Sequence, residues 1–363
     1  MEQTAYLVLE NGAVFTGKNF GFAAEAVGEL VFTTSMTGYV ETLTDPRFYG
    51  QMVLQTFPLI GNYGVMEADK QSAKPALCAY IVKEWCQEPS NFRSEGELDT
   101  FLKQNKIPGM YGVETRRLTR ILRESGTMKA KLCLSEPDME AVARELKAFT
   151  LQKAVEAVTA EKAYTACAKG GIRLAVVDFG VSKSLLDALA ARGCAVSVYP
   201  AFTPAQEILA QKPDGVVLSG GPGDPLAETG AVHEATRLCT AGIPLLGVGL
   251  GHQLLALARG AKTRKMRHGH RGASQPVRDT RTGAIYITAQ NHGYEVCSET
   301  LPATARESFI NVNDGSCEGV EYLDIPALSV QFAPESCGAP GSVGFLLNEF
   351  VAMCGEGNKH AAE

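Results

Sequence analysis

Two patterns of apolar and polar positions divide the chain. From Ala5 to about Ser35, Val, Phe, Thr and Gly are frequent and apolar positions recur at a period of two, as in Tyr6-Leu7-Val8-Leu9 before the turn Glu10-Asn11-Gly12. That period predicts strands and hairpins. Between Tyr39 and Asn62 the turn signals Thr44-Asp45-Pro46 and Gly61-Asn62 accumulate, and the run from Leu77 to Val82 predicts a buried strand. Glu95 to Asn105 and Glu114 to Ser125 carry helical spacing, the second opening on Glu114-Thr115 and closing before Gly126. The first part of the chain therefore reads as mixed α/β.

From Arg173 onward the pattern changes. Short apolar runs at Arg173–Asp178, Ala195–Tyr199, Gly215–Leu218 and Ile243–Leu246 alternate with helical spacing at Ser182–Arg192, at Gln206–Gln211 and before Ile243. Strands alternating with helices predict a mostly parallel sheet covered by helices on both faces, with ligands at the carboxyl ends of the strands. Residues 139–168 are rich in Ala, Glu and Lys and close on Lys169-Gly170-Gly171. The expected organisation is a mixed α/β domain over 1–150, a linker over 151–171, an α/β domain over 172–355 and a frayed tail over 356–363.

A length of 363 residues agrees with two domains of ordinary size. Lys and Arg number 34 against 40 Asp and Glu, a net charge of −6, which leaves no bulk attraction for nucleic acid or an anionic membrane. Two local basic runs stand against that background. Arg116, Arg117, Arg120 and Arg123 read either as an anion site or as a solvated helix face, and the amphipathic spacing favours the face. In Arg264–Arg271 six of eight residues are basic or His, yet no aromatic residues interleave, so a surface loop is expected rather than a phosphate or nucleic-acid site. The 10 cysteines are scattered without a C-x-x-C pair, against a zinc site or a disulfide scaffold. The start Met-Glu-Gln-Thr-Ala-Tyr is not that of a signal peptide, and no stretch of about 18 apolar residues occurs, so a cytoplasmic location is expected.

One segment carries the frame of a catalytic turn. In Pro244-Leu-Leu-Gly247-Val248-Gly249-Leu250-Gly251-His252-Gln253 an apolar strand meets a helix through small flanking residues, the nucleophile-elbow pattern, in which the central side chain projects at the helix N-terminus. The central position is Gly249. Packing explains Leu250, Leu254, Leu257 and Ala258 on one helix face, and leaves His252 and Gln253 unexplained.

These residues place the chain beside a known family. It resembles class I glutamine amidotransferases, and more closely the small, glutamine-handling subunit of carbamoyl-phosphate synthase, over nearly its whole length. The resemblance rests in the first domain on Thr34-Ser35-Met36-Thr37-Gly38-Tyr39, Leu43–Pro46, Gly61–Gly64 and Arg116–Thr119. In the second it rests on Asp178-Phe179-Gly180, Leu218–Pro225, Gly251–Ala256, Ala289–Gly293 and Pro334-Glu335.

The resemblance implies a cysteine at the elbow that attacks the side-chain amide of glutamine, a histidine as base and a glutamate orienting it. A thiolate is needed because an amide is a poor electrophile. Carried over position by position, the nucleophile falls on Gly249, the base on Ala333 and the orienting carboxylate on Glu335. Glutamine's binding positions fall on Ser35, Gly221, Gly223, Gln253, Asn291, Gly293 and Tyr294, with the Leu250 amide in the oxyanion hole. Gly220, Ser274 and Thr33 stand where the family usually has Asn. Without a nucleophile or a base, hydrolysis in the family manner is not expected, and the thiols nearest in sequence to the motifs, Cys297 and Cys337, are on no elbow. For His252 and His292 hydrogen-bonded structural roles are expected. The implied partner is a large ATP-using subunit that receives ammonia internally, with L-glutamine as the ligand. P-loop and complete dinucleotide fingerprints are absent, so no cofactor or metal is expected on this chain, and ATP and a metal ion belong to the large one. A glutamine-binding sensor module remains the second reading.

Overall fold

The computed structural model describes residues 3–335 and 343–360. It divides into two compact units, one of residues 1–154 with 267–272, the other of 155–266 with 273–363.

The first unit is built on a closed barrel. Its strands are β1 (Thr4–Leu9), β2 (Val14–Gly21), β3 (Ala26–Thr33), β4 (Gln51–Gln55), β6 (Ala79–Ile81), β8 (Pro108–Tyr111) and β9 (Met128–Cys133), in the order β1-β2-β8-β6-β4-β3-β9, and β9 pairs back onto β1 to close it. Alternation sorts the side chains. Leu7, Leu9, Leu30, Met52, Leu54, Ile81 and Leu132 form one buried cluster, and their neighbours Val31, Val53 and Tyr80 pack into another with α1 (Tyr39–Thr44) and α2 (Leu98–Gln104). Two short strands, β5 (Leu59–Ile60) and β7 (Glu84–Trp85), pair beside them. Helix α3 (Thr115–Ser125) commits Leu118 and Leu122 to the first cluster, and α4 (Met139–Ala148), capped by the Asp138 carboxylate, places Val142 and Leu146 against Val8 and Cys133. Closure needs seven pairings that no single segment announces, so the periodicity predicts the strands and not the barrel.

The second unit is a ten-stranded sheet. Strands β11 (Ile172–Asp178), β12 (Cys194–Pro200), β13 (Gly215–Leu218), β14 (Leu245–Val248) and β19 (Ala327–Val330) are parallel in the order β12-β11-β13-β14-β19. Ala175, Val177, Val216 and Leu218 face α7 (Ala205–Ala210), α8 (Thr229–Thr240) and α9 (Leu250–Ala258), whereas Leu174, Val176 and Val217 pack with α6 (Lys183–Ala190) and α10 (Phe345–His360). Both faces are thus covered by helices, as the apolar runs predict. Antiparallel β18 (Cys317–Tyr322), β16 (Ile285–Cys297), β15 (Lys262–Asp279) and β17 (Ala305–Asn311) extend the sheet beyond β19.

Several expectations change here. Residues 151–171 are not a linker: α5 (Ala154–Val158) lies within them, and β10 (Tyr164–Cys167) pairs antiparallel with β12 at the sheet edge. Its three exposed residues hid it, since an edge strand facing water lacks the apolar signal. The basic run is not a loop: Arg264–Arg271 lies inside the long strand β15, and Arg267–Gly272 groups with the first unit. The expected tail from 356 is helical through His360 as the end of α10, while residues 361–363 fall outside the described residues. Among the described residues no helix is long and apolar enough to cross a membrane.

Candidate active site

Strand β14 runs into α9 through Gly249, whose φ of 55° and ψ of −112° make the turn. The Gly249 N–H donates to Val330 O at 2.9 Å, tying the turn to the end of β19, and the Gly251 N–H donates to Ser219 O at 3.0 Å, tying it to the end of β13. The glycines of this frame serve different ends. A Cβ on Gly247 would lie 2.8 Å from Gly251 O, and one on Gly251 would lie 2.0 Å from Leu218 O, so the helix rides directly on the strand ends only if both lack side chains. A Cβ on Gly249 would meet Gly220 Cα at 3.3 Å and Gln331 O at 3.9 Å. A β-carbon there is a tight fit that Gly220 would have to yield to by a few tenths of an ångström, and the position adds backbone strain through its positive φ.

The loop after β13 closes one side. Ser219 is fully buried; its Oγ accepts from the Phe179 N–H at 2.9 Å and donates to Gly220 O at 3.0 Å. A Cβ on Gly221 would sit 2.4 Å from Phe179 O and 2.9 Å from Leu250 Cδ2, so Gly221 is required by close approach, and Gly223 takes a φ of 96°. Asp178, before this contact, accepts from the N–H groups of Gly180, Val181 and Ala160 at 2.8–2.9 Å. Burial pushes its carboxyl up while those bonds pull it down, with burial the larger effect.

On α9, Gln253 is buried and donates both amide hydrogens within the protein, to Tyr294 O and to Gln331 Oε1, each at 2.8 Å. This joins α9 to β16, which carries Asn291, Gly293 and Tyr294. Gln253 therefore has only its carbonyl oxygen left for a ligand, and its first task is to hold two elements together. Gln331 was missed by sequence reasoning. Its buried Nε2 has no hydrogen-bond partner among the described residues, and its backbone carbonyl is beside Gly249, yet inside an apolar strand run it carries no motif signal.

Past β19, Ala333 is buried and its N–H donates to Ala289 O at 3.0 Å. Glu335 Oε1 accepts from Ser182 Oγ at 3.0 Å and Ser184 Oγ at 3.3 Å, while its buried Oε2 has no partner among the described residues. Ser182 also caps α6, accepting from the Leu185 N–H at 3.4 Å. Gly249, Ala333 and Glu335 thus follow the carboxyl ends of the neighbouring strands β14 and β19, and Gly221 follows the end of β13.

Of the two histidines of the motifs, His292 is bonded at both ring nitrogens, whereas the buried Nε2 of His252 has no hydrogen-bond partner among the described residues. His292 Nδ1 lies 2.9 Å from Tyr294 O and Nε2 lies 3.1 Å from Gln290 Oε1. His252 Nδ1 lies 2.8 Å from Ser329 Oγ, and complete burial pushes its pKa down to about 3, so it is neutral. Ser35 belongs to the first unit, where Thr33 Oγ1 donates to its Oγ at 3.4 Å and Gln55 Nε2 donates to its carbonyl. The nine described cysteines are free. Burial pushes the Cys297 thiol up, the wrong direction for a nucleophile, and Cys337 lies outside the described residues.

Comparison with known proteins places the chain in a family. Residues 7–132 match the family model described as carbamoyl-phosphate synthase small chain, CPSase domain, and residues 175–353 match that of glutamine amidotransferase class-I. A carbamoyl phosphate synthase small chain of Clostridium perfringens is 45% identical over 96% of this chain and 98% of its own length. That of Bacillus caldolyticus is 45% identical over 97% of both. A pyrimidine-specific small chain of Halalkalibacterium halodurans is 46% identical over 98% of both.

Proposed function

Because this chain belongs to the family of carbamoyl-phosphate synthase small chains, we propose that it is a small subunit that does not hydrolyse glutamine and serves a synthase fed by free ammonia. Its partner is a large subunit that carries the ATP, the metal ion and the ligation chemistry, in the cytoplasm. What remains for this chain is to dock with, stabilise or regulate that partner.

The observation that carries the reading is the state of the turn and of Glu335. Gly249 holds the strained backbone of a nucleophile elbow with no side chain and only a tight fit for a Cβ, and Glu335 keeps its two serine donors while Oε2 has no partner among the described residues. A carboxylate oriented by two hydroxyls with one oxygen unspent fits a position whose usual histidine is replaced by Ala333. Acyl transfer from an amide needs an atom that attacks and a group that carries the proton to the leaving amine, and neither Gly249 nor Ala333 has one. The donors that would stabilise an oxyanion do not compensate for a missing bond-forming atom.

The test is the nitrogen source. Purified together with its large subunit, the protein should support carbamoyl phosphate synthesis from ammonium and fail with glutamine. Equal rates from the two would overturn the reading.

A second reading, a sensor that binds glutamine without turning it over, is supported by the close-approach glycine Gly221, by Gly223 and the Leu250 amide, and by Asn291, Gly293 and Tyr294 together on β16. Calorimetry with millimolar glutamine decides it: absence of heat removes the sensor.

A further inference from the structure

Two basic runs that lie far apart in sequence meet in the first unit. Helix α3 turns Leu118 and Leu122 into the barrel cluster, so that Arg116, Arg120 and Arg123 emerge exposed on other flanks of the helix. The helix stops at Gly126, whose φ is 91° and whose Cβ, if present, would lie 2.7 Å from Arg267 O. The next N–H, that of Thr127, donates to the same Arg267 O at 2.9 Å. This close approach delivers Arg267 and His268 beside α3. With Lys83 they line a cavity of about 970 Å³ whose lining residues all belong to the first unit.

The charge in this cavity is unbalanced. Arg116, Arg120, Arg123 and Arg267 face a single lining carboxylate, Glu124, while Lys83 on the same lining lies 3.9 Å from Glu84. Among the described residues the four arginines have no ion pair. Arg117, on the same helix but outside the cavity, is paired with Glu114 at 3.2 Å and lies over the Phe15 ring at 5.4 Å. Like charges at i,i+4 and i,i+3 disfavour a helix, and a chain of net charge −6 has acidic residues to spare, yet only one of them is here. Arg116 and Arg123 are about 10 Å apart along the helix axis, more than one phosphate group spans. Guanidinium forks match phosphate oxygens two at a time, and the volume is that of a small-molecule site.

We propose that this cavity binds a multivalent phosphate compound whose phosphate chain is held by Arg116, Arg120, Arg123, Arg267 and Lys83. The site is separate from the amidotransferase-like turn and does not rest on how that turn functions.

Calorimetric titration of the full-length protein with inorganic triphosphate tests it, with orthophosphate and glutamate as comparison ligands. Triphosphate should bind with an affinity that falls steeply as salt rises, and orthophosphate should bind at least about tenfold more weakly. Arg120→Ala and Arg267→Ala should each raise the triphosphate Kd by about tenfold or more, the loss of one charge-assisted contact, while Arg117→Ala leaves it unchanged. These residues are exposed, and an unaltered thermal midpoint checks that each variant is folded. No heat from millimolar triphosphate overturns the proposal, as does an equal loss in Arg117→Ala. It is also overturned if Arg120→Glu abolishes assembly with the large subunit in a protein that binds no triphosphate, since the face then receives an acidic protein segment.

Discussion

Gly249 and Gly251 are two residues apart in one frame, and the structure gives them opposite reasons for being glycine. At Gly251 a Cβ would overlap Leu218 O at 2.0 Å, whereas at Gly249 the nearest atom is at 3.3 Å, a tight contact that a small shift relieves, and the positive φ is the main unfavourable feature. Gly251→Ala should therefore lose at least about 3 kcal/mol through forced displacement of α9, and Gly249→Ala only about 1–2 kcal/mol of backbone strain. Guanidinium unfolding midpoints would order the two, and an equal loss would contradict the packing argument. His252 supplies a second prediction at this scale. Its folded pKa, near 3, lies below the ordinary 6.5, so the unfolded chain binds the proton first as pH falls. Its contribution to stability is complete above about pH 6.5 and is lost progressively toward pH 3, at up to about 1.4 kcal/mol per pH unit. Replacement by Gln, which cannot titrate, should flatten the stability–pH slope between pH 6 and 4.

At the scale of elements, the candidate site is an agreement between strand ends. Gly249 is tied to Val330 O and Gly251 to Ser219 O, so β13, β14 and β19 set the turn together, and Glu335 is fixed by Ser182 at the start of α6. Restoring chemistry should accordingly need two strand ends at once. Gly249→Cys with Ala333→His should release glutamate and ammonia from glutamine, and either change alone should restore little. In that double variant, Ser182→Ala should reduce the recovered rate, and in the parent protein it should cost about 1 kcal/mol through the lost cap. The elements also show where sequence patterns succeed. The run at Arg173–Asp178 became β11, Glu114–Ser125 became α3 and the helical spacing at Ser182–Arg192 became α6, because each depends on period and apolar content within one stretch of chain. The solvent-facing β10 and the long basic β15 were not readable that way, since their pairing partners, not their own composition, make them strands.

For the whole molecule, the division into two units is not a single cut in the chain. Arg267–Gly272 belongs with the barrel, and Arg267 O accepts the Thr127 N–H that joins α3 to β9. A fragment of residues 1–154 leaves that donor and the glycine approach at Gly126 without their partner. It should unfold at a lower temperature than the same region in the full chain, and added peptide 262–279 should raise the midpoint; an identical midpoint would show that the segment contributes nothing.

What the sequence alone determined are features that one stretch of chain decides. These are the alternation that makes the strands, the helical stripes, the elbow frame with Gly249 at its centre, and the family to which the motifs point. They are legible because period, glycine placement and motif order are local in the chain. Tertiary structure alone decided the closure of the barrel, the tying of Gln253 to Tyr294 and Gln331, the orphaned oxygen of Glu335, and the meeting of Arg267 with the arginines of α3. Each of these joins residues far apart along the chain, and whether they meet depends on strand order and register, which no local pattern encodes.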